Sequence, residues 1–465
     1  MQEEVSVQCP NSGAFIRPML GADASVPPDS SGGCRTFPHN FKILKPEEFD
    51  MSLLKGNAIV GQSGGPTAAI NATLAGVIKG AIADDSIDTL YGAFNGIEGM
   101  LRDTVCNLSE IFRNPDDLGV LANTPAAALG SCRKKLPAPD DTSPESVAVY
   151  EKLLQFFRKY NIRYFFYIGG NDSMDTVAKL SAYLPKAGYD MRIMGVPKTI
   201  DNDVMGTDHT PGYGSAAKYI AVSMQEMLRD CAVYTVKAVT IVEIMGRDAG
   251  WLTAAAALTR AAGIEPDLIY LPERTFDMEA FFEDVSAALD RHPNVVVAVS
   301  EGVRLADGRY VCEAVSDAGN DAFGHKQLSG TGKALELAVR EKLGCKVRSV
   351  ELNILQRCAS HVASQTDLDE SIMIGNDAVK AAVSGVSGKM MCFVREPGQT
   401  YRVHTEPEYI DAIANRVRAV PDSFINARGN QITDEGVAYL LPLIQGEVTP
   451  GYHNGLPVHF VIPKE

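Results

Sequence analysis

Short apolar runs alternate with helical patterns along most of the chain after residue 55. The runs that predict strands are GNAIVG, RYFFYIGG, YDMRIMGV, KAVTIVEIMG, DLIYLP and NVVVAVSEG. The segments with helical periodicity are TAAINATLAGVIKGAI, DSMDTVAKLSAYL, GYGSAAKYIAVSMQEMLRDC, GWLTAAAALTRAA and MEAFFEDVSAALDRH. Continuous apolar strands that alternate with helices are typical of parallel sheets covered on both faces. The pattern predicts an α/β fold with two doubly wound, mostly parallel-sheet lobes and the active site in the cleft between them.

The first fifty residues have a different composition. The stretch GADASVPPDSSGGCRTFPHN is rich in Pro, Gly and Ser and shows no period. Such a composition cannot bury a core, so we predict a poorly ordered leader over residues 1–54. Ordered sequence begins close to Met51, which is either the true start or the end of a lineage-specific addition.

Composition narrows the class of protein. The 465 residues are 45% apolar and 22% charged, with a net charge of −15 that argues against binding to nucleic acid or to a membrane surface. Nine cysteines with no CxxC pair indicate a reducing compartment. No apolar run approaches the roughly 18 residues of a membrane span, and no signal peptide is visible. We therefore predict a cytoplasmic protein.

Glycine-rich polar stretches follow the predicted strands at their carboxyl ends, where ligands bind in folds of this class. Gly61–Pro66 (GQSGGP) and Gly169–Ser173 (GGNDS) each stand between a strand and a helix. Glycines let a backbone approach a phosphate closely, and a helix N-terminus favours anions. The first stretch is neither a Walker A loop nor a GxGxxG pattern, and a tight turn remains an alternative. In the second, helix capping by Asp172 or Ser173 is an alternative.

The stretch Val196–Val204 (VPKTIDNDV) places a lysine, a threonine and two carboxylates directly after an apolar strand. A calcium loop is excluded because the twelfth position counted from Asp201 is Gly212 rather than glutamate. An Asx-turn remains an alternative. The functional interpretation uses one carboxylate as a general base and the other to hold a metal or to orient the first.

Further charged residues stand at later strand ends. Met245–Asp248 (MGRD) supplies an arginine, whose planar fork suits phosphate or sugar oxygens, and Ser300–Gly302 (SEG) supplies a glutamate. Arg133, Arg348 and Arg357 add cationic groups. Taken singly, each of these residues more often forms a structural ion pair than binds a ligand. Together with the glycine loops, they are what a polyphosphate site needs.

The motifs SGGP, LGSCR, GGNDS, PKTIDND, MGRDAG, SEG and QR occur in the order and approximate spacing of the phosphofructokinase family. The chain resembles this family from about Lys55 to Arg395, and resembles its bacterial diphosphate-dependent members most. The resemblance implies reversible phosphoryl transfer from diphosphate to the 1-hydroxyl of fructose 6-phosphate, with Mg²⁺ as cofactor and a homodimer or homotetramer as the assembly. It also implies a phosphoryl-donor lobe at 55–213, completed by a return segment near 358–395, a sugar-phosphate lobe at 214–357 and a C-terminal extension at 396–465.

The resemblance also assigns roles to individual residues. Asp201 matches the proton acceptor, and Lys198 and Asp172 occupy positions that are typically glycine in ATP-using relatives. The residues that match substrate-binding positions are Thr199, Ile200, Met245, Gly246, Arg247, Glu301, Arg348 and Arg357. The residues that match donor-binding positions are Gly65 and Arg133, and those at the metal are Asn171 and Asp203. Arg348 is expected to reach across a subunit interface.

Three positions depart from the family pattern. Asn171 replaces an aspartate that binds the metal, and an amide oxygen is a weaker ligand for a hard cation. Ala238, beside Lys237, stands where a substrate arginine is expected, and Ile354 stands where a histidine is expected. Two alternatives follow: an ATP-dependent 6-phosphofructokinase, and a catalytically silent sugar-phosphate sensor. Retention of the four charged residues Asp201, Asp203, Lys198 and Arg247 argues against the sensor, which needs no base.

Overall fold

The computed structural model describes residues 54–314, 330–410, 413 and 416–463. The predicted leader, residues 1–54, lies outside the described residues except for Leu54, and so does the proposed start at Met51. Among the helices in the described ranges, none combines the length and the apolar character required to cross a membrane.

Thirteen strands are assigned in the described part of the chain. In chain order they are β1 (Gly56–Gln62), β2 (Ile87–Ala93), β3 (Val105–Asn107), β4 (Ile162–Gly169), β5 (Arg192–Pro197), β6 (Ala238–Ile244), β7 (Leu268–Tyr270), β8 (Asn294–Ser300), β9 (Lys346–Glu351), β10 (Lys389–Arg395), β11 (Val403–Tyr409), β12 (Tyr452–His453) and β13 (Leu456–Pro457).

Thirteen α-helices accompany these strands in the same described ranges. They are α1 (Ile70–Ile82), α2 (Gly96–Arg102), α3 (Leu108–Ile111), α4 (Asp116–Ala122), α5 (Pro144–Lys159), α6 (Asn171–Tyr183), α7 (Tyr213–Cys231), α8 (Trp251–Ala254), α9 (Met278–Arg291), α10 (Thr331–Leu343), α11 (Leu355–Cys358), α12 (Gln365–Val383) and α13 (Asp434–Leu440).

Two sheets organise the molecule. The larger has seven strands in the order β11-β10-β5-β4-β1-β2-β3 and is parallel except at its two edges, where β11 and β3 run antiparallel to their neighbours. The smaller has four parallel strands in the order β7-β8-β6-β9. Strands β12 and β13 form a separate hairpin. The predicted α/β fold with two mostly parallel sheets is therefore confirmed.

The core of the larger sheet follows from the alternation of side chains along its strands. Ala58 and Val60 on β1 pack with residues of α1 and α12, whereas Ile59 between them packs with residues of α5 and α6. All three are fully buried. A strand covered by helices on both faces needs apolar residues at every position, which explains the continuous apolar runs of the sequence.

Helices α1 and α12 approach each other unusually closely because each contributes a glycine at the contact. A Cβ atom on Gly76 would lie 2.1 Å from the carbonyl oxygen of Ile372, and one on Gly375 would lie 2.2 Å from that of Thr73. Non-bonded atoms cannot approach each other this closely, so an alanine at either position would push the helices apart. The two glycines thus let α12, which lies in the predicted return segment 358–395, pack directly against α1, the helix after the first glycine loop.

One predicted element differs in the structure. The alanine-rich segment 250–262 was expected to form one helix, but α8 ends at Ala254 and a 3₁₀ helix spans Ala255–Ala262. It ends at Gly263, which has a positive φ of 74°. Small buried side chains favour neither helix type strongly, so packing against α7 decides the local geometry. The lobe boundaries at residues 213 and 357 stay predictions.

Candidate active site

A cavity of about 580 Å³ opens at the carboxyl ends of strands from both sheets. This volume lies within the usual range for small-molecule sites, roughly 300–1,000 Å³. The predicted site residues that line it are Gly65, Arg133, Asn171, Asp172, Lys198, Thr199, Ile200, Asp201, Asp203, Met245, Arg247, Glu301 and Arg357. Residues far apart in the sequence thus meet in one place, as parallel sheets dictate.

Two predicted residues stand apart from this lining. Gly246 contributes through its backbone, whose N–H donates to Glu301 Oε1 over 3.3 Å. Arg348 lies on β9, opposite Thr240 of β6, and borders a separate shallow groove with Tyr234 and Lys346. Its side chain is exposed. Within one copy of the chain, Arg348 is therefore not part of the cavity.

The glycine loop after β1 is tied to the segment that carries Arg133. The Gly64 N–H donates to the Cys132 carbonyl over 3.0 Å, and Ser63 Oγ donates to the same carbonyl over 3.0 Å. Gly64 has a φ of +81°, a conformation that side chains rarely adopt. A Cβ atom there would also lie 3.1 Å from Lys198 Nζ. Glycine at this position keeps the space in front of the lysine open.

Lys198 is a buried cation fixed in the floor of the cavity. Only 2% of the residue is exposed, and its Nζ donates to the Gly65 carbonyl over 2.7 Å. Its backbone N–H donates to the Gly169 carbonyl over 3.0 Å, which places it between two glycine loops. Burial lowers the pKa of Lys198 to about 8, although Asp201 and Asp203 favour its charged form. The ammonium group is therefore preorganised and titrates near neutral pH.

The loop after Lys198 is held by hydrogen bonds on both sides. Thr199 Oγ1 lies 3.1 Å from Asp201 Oδ2 and also accepts from the Asp201 N–H. Asn202 adopts a left-handed conformation with φ of 55°, and its Oδ1 accepts from the Thr210 N–H over 3.0 Å. Arg418 donates to the carbonyls of residues 202 and 203. Asn202 Oδ1 thus bonds eight residues along the chain, so this contact is not the Asx-turn of the alternative, in which the side chain would accept from the N–H two residues on.

The two carboxylates of this loop are close enough to affect each other. Burial, together with the nearby charge of Asp201, raises the pKa of Asp203 to about 7. Burial also raises the pKa of Asp201, against the opposing effects of Thr199 and Lys198. Two like charges in an enclosed site favour protonation or the arrival of a cation. The pair is therefore suited to a proton transfer or to metal binding.

The GGNDS stretch begins α6 at Asn171, with Gly170 before it. Asn171 Oδ1 is buried without a hydrogen-bond partner among the described residues. Asp172 points into the mouth of the cavity with its side chain half exposed, and its carboxylate lies 2.9 Å from Lys135 Nζ. Neither side chain makes an N-cap hydrogen bond. The N-cap residue is Gly170, so capping by Asp172 or Ser173, the alternative interpretation of the sequence, is absent from α6.

The opposite wall is built by the ends of β6 and β8. Arg247 and Met245 line the cavity after β6, and Glu301 lines it after β8. Burial raises the pKa of Glu301 to about 7, while its hydrogen bond from the Gly246 N–H opposes the shift. A Cβ atom on Gly302 would lie 2.1 Å from the Arg247 carbonyl, so glycine lets the two strand ends approach closely. Arginine and a carboxyl group on one wall suit a phosphorylated, hydroxyl-rich ligand.

Three cationic residues of the cavity were missed by the sequence analysis. Lys134 and Lys135 follow Arg133 directly, and Arg416 comes from the C-terminal segment. The sequence RKK contained the signal for the two lysines, whereas no local pattern marks Arg416. The lining now holds seven basic residues: Arg133, Lys134, Lys135, Lys198, Arg247, Arg357 and Arg416. In a chain of net charge −15, this concentration indicates an anionic ligand.

Comparisons with known proteins agree with this geometry. The family model described as phosphofructokinase matches residues 57–381. A pyrophosphate–fructose 6-phosphate 1-phosphotransferase of Halomonas elongata is 41% identical over 408 residues, which cover 86% of this chain and 94% of that protein. One from Methylococcus capsulatus is 40% identical over 405 residues, with the same coverage.

A solved structure shares the fold. The crystal structure of a pyrophosphate-dependent phosphofructokinase from Nitrosospira multiformis matches with a TM-score of 0.78 and 36% sequence identity. The match covers 88% of this chain and 98% of that one. Sequence, fold and cavity lead to the same assignment, and the chain belongs to the phosphofructokinase family.

Proposed function

We propose that the protein transfers a phosphoryl group reversibly from diphosphate to the 1-hydroxyl of D-fructose 6-phosphate, giving fructose 1,6-bisphosphate and phosphate. The observation that carries the choice of donor is the pair Asp172 and Lys198 at the ends of two neighbouring strands, both in the cavity lining. The relatives named for this activity, which match nearly their whole length, support the same choice. Asp172 places a carboxylate at the mouth, where a longer nucleotide polyphosphate would meet like charge.

Asp201 acts as the base for the sugar hydroxyl. Its carboxylate opens onto the cavity and is oriented by Thr199, as a proton acceptor in phosphoryl transfer must be. The surrounding cations Lys198, Arg247 and Arg357 favour its ionised form. The proton moves from the 1-hydroxyl to Asp201 as the hydroxyl oxygen attacks the terminal phosphorus of diphosphate.

Lys198 stabilises the diphosphate while the bridging bond breaks. Its Nζ is held by the Gly65 carbonyl, which leaves two of its three N–H groups to donate elsewhere. A donor that is already in place and shielded from water stabilises developing charge without reorganisation. Arg133 assists from the rim, and Arg247, Glu301 and Arg357 position the sugar phosphate.

The residues also fit a Mg²⁺ ion. Asp201 and Asp203 are mutually repelling carboxylates, and Asn171 Oδ1 is an acceptor without a partner in the described structure. The described residues contain no group of three or more His, Cys, Asp or Glu side chains arranged for a metal. Mg²⁺ commonly binds one or two carboxylates together with substrate phosphates, so Asp203, aided by Asn171, would hold it. When bound, the ion neutralises part of the negative charge on the diphosphate.

The assembly is a homodimer or homotetramer in a cytoplasmic setting. Arg348 is exposed on the edge strand β9, and it borders a groove with Tyr234 and Val236. The exposed fractions of Tyr234 and Val236 are 49% and 59%. Exposed apolar residues beside an edge strand favour contact with another chain. Arg348 would then serve a neighbouring subunit's sugar-phosphate site.

A turnover assay tests the proposal directly. The protein is mixed with fructose 6-phosphate, Mg²⁺ and either diphosphate or ATP, and formation of fructose 1,6-bisphosphate is measured. We expect turnover with diphosphate and a much lower kcat/KM with ATP. The reverse preference would make the protein an ATP-dependent kinase. Binding of the sugar phosphate without turnover of either donor would make it a sensor.

A further inference from the structure

A buried cluster of charged side chains lies close to the TIDND loop, Thr199–Asp203. None of them takes part in the reaction proposed above. At its centre is His209, of which 2% is exposed. His209 Nδ1 lies 2.9 Å from Asp208 Oδ2, and Nε2 lies 2.8 Å from Glu370 Oε2. The ring of Phe393 stacks on the imidazole with a centroid distance of 4.6 Å. Because each nitrogen faces a carboxylate oxygen, both must carry protons, and the ring is an imidazolium.

The groups around His209 balance its charge. Arg395 Nε donates to Asp208 Oδ2 over 3.1 Å, and Tyr401 donates from its hydroxyl to Glu370 Oε1 over 2.8 Å. The Tyr439 hydroxyl donates to the Asp208 carbonyl over 2.6 Å. The two carboxylates, Asp208 and Glu370, are thus matched by two cations, the imidazolium and Arg395. The two tyrosine hydroxyls at the edge of the cluster are neutral. Loss of the imidazolium proton would leave one uncompensated negative charge in a buried site, which is strongly unfavourable.

Two hydrogen-bonded paths connect this cluster to the TIDND loop. Thr210, next to His209 in the chain, donates its N–H to Asn202 Oδ1 over 3.0 Å and its hydroxyl to the Thr199 carbonyl over 2.7 Å. On the other side, Arg418 donates to the Tyr439 hydroxyl over 3.3 Å and to the Asn202 carbonyl over 3.0 Å. A displacement of the cluster therefore acts on both ends of the loop.

We propose that His209, as an imidazolium held between Asp208 and Glu370, is a positioning residue that keeps the loop Thr199–Asp203 in the geometry needed for phosphoryl transfer. The inference deepens the proposed function and rests on it. His209 touches neither the cavity nor the reacting atoms. It acts through Thr210 and, by way of Asp208 and Tyr439, through Arg418.

The electrostatics of the cluster agree with a charged ring. Burial alone would lower the pKa of His209, but its hydrogen bonds and charge interactions with Asp208 and Glu370 raise it above the ordinary value. A raised pKa of a histidine means that its stabilisation is complete below the ordinary pKa and is lost as the pH rises through the raised one. The loop is therefore expected to loosen on the alkaline side.

The first test replaces the charge and keeps the size. In His209→Gln the cluster becomes negative, and we expect kcat with diphosphate to fall about 10²-fold, since small misplacements of catalytic groups cost that much. KM for each substrate should change by less than about threefold, because the binding groups of the cavity wall are untouched. His292→Gln is the matched control: His292 is an exposed histidine 2.7 Å from Asp267 and should leave kcat unchanged.

A second substitution restores the charge balance. The double variant His209→Gln/Glu370→Gln removes one negative charge with the positive one, and its two amides can hydrogen-bond each other. We expect it to recover at least tenfold of the lost kcat. A histidine that only fills space would lower the melting temperature of the single variant without this recovery. Wild-type kcat in His209→Gln, or no recovery in the double variant, would overturn the proposal.

The protonation state can be read without activity. The chain has eight histidines, so a ¹⁵N-histidine spectrum is simple enough to assign the His209 signal by its absence from His209→Gln. We expect two protonated ring nitrogens at pH 7.5. If His209→Gln does not fold, Glu370→Gln serves instead. Loss of the Glu370 charge should shift the pH at which the His209 ring loses its proton to a lower value. A neutral ring, or an unmoved titration, contradicts the inference, whereas failure of the proposed function would appear as a wild type inactive with either donor.

Discussion

The loop Lys198–Asp203 and the segment Arg133–Lys135 border the same cavity and differ in how they hold their charges. Lys198 is 2% exposed and hydrogen-bonded to a glycine carbonyl. The side chain of Lys135 is 52% exposed and forms an ion pair with the half-exposed Asp172. A buried, fixed donor can act on the transition state, whereas an exposed cation is screened by water and salt. The comparison indicates that burial, rather than charge alone, distinguishes a lysine that takes part in the reaction from one that only attracts the anionic substrate.

The largest effect is expected in the buried loop at Asp201. Asp201→Asn keeps the shape and removes the proton acceptor, so kcat should fall about 10²–10⁴-fold, the usual contribution of a positioned base. Steady-state assays with saturating diphosphate and fructose 6-phosphate measure this loss. Because one of two repelling carboxylates is removed, the melting temperature of the free protein should stay the same or rise. Turnover near the wild-type rate would show that Asp201 is not the base.

The comparison between buried and exposed cations is sharpest at Lys198. Lys198→Met should lower kcat with diphosphate by about 10²-fold or more, the scale of losing one preorganised donor to the transition state. It should not confer good use of ATP, because Asp172 remains. Measured kcat/KM for both donors checks this expectation. Equal effects of Lys198→Met and Lys134→Met would remove the distinction between the two regions.

The buried lysine also predicts a pH profile. Lys198 must be charged to donate, and its pKa of about 8 in the free protein means that kcat/KM should fall roughly tenfold per pH unit above that value. The raised pKa of Asp201 predicts a second fall on the acid side, where the base becomes protonated. In Lys198→Arg the alkaline limb should move to higher pH, since arginine stays charged. An alkaline limb that does not move would assign it to another group.

A smaller change is expected where the two regions meet, at Asp172. Asp172→Gly removes like charge and bulk from the mouth, and the ratio of kcat/KM for ATP to that for diphosphate should rise about tenfold, equivalent to roughly 1.4 kcal/mol. Asp172→Asn removes the charge and keeps the bulk, so comparison of the two variants separates the effect of charge from that of size. Donor competition assays measure the ratio. An unchanged ratio in both variants would mean that Asp172 does not exclude ATP.

The smallest effect belongs to the exposed segment. Lys134→Met should raise KM for diphosphate about two- to fivefold at low salt and leave kcat unchanged, as expected for a screened surface charge. The difference from the wild type should vanish near 1 M salt, where the screening length is about 3 Å. A loss of kcat that persists at high salt would instead place Lys134 in the chemistry.

Local patterns predicted much of the fold. Strands β1, β4 and β5, which precede the glycine loop, the GGNDS stretch and the TIDND loop, lie within a few residues of their predicted bounds. They could be predicted because a strand buried on both faces leaves a continuous apolar run. Strands β2, β3, β9, β10 and β11 were not predicted. Of the antiparallel edge strands, β3 has only three residues and β11 alternates half-buried with exposed positions, so neither leaves a continuous apolar run. The parallel pairing of β10 with β5 joins segments far apart in the chain, which no local pattern encodes.

The candidate site divides in the same way. The sequence by itself determined the family, and it predicted the reaction class and the strand-end residues that line the cavity, because these residues lie in contiguous motifs whose order along the chain is distinctive. Only the tertiary structure brought Arg416 to the cavity, Lys135 to Asp172, and Glu370 and Arg395 to His209. Those contacts join distant segments. Their energies depend on burial and on the geometry between side chains, and both exist only once the sheets have assembled.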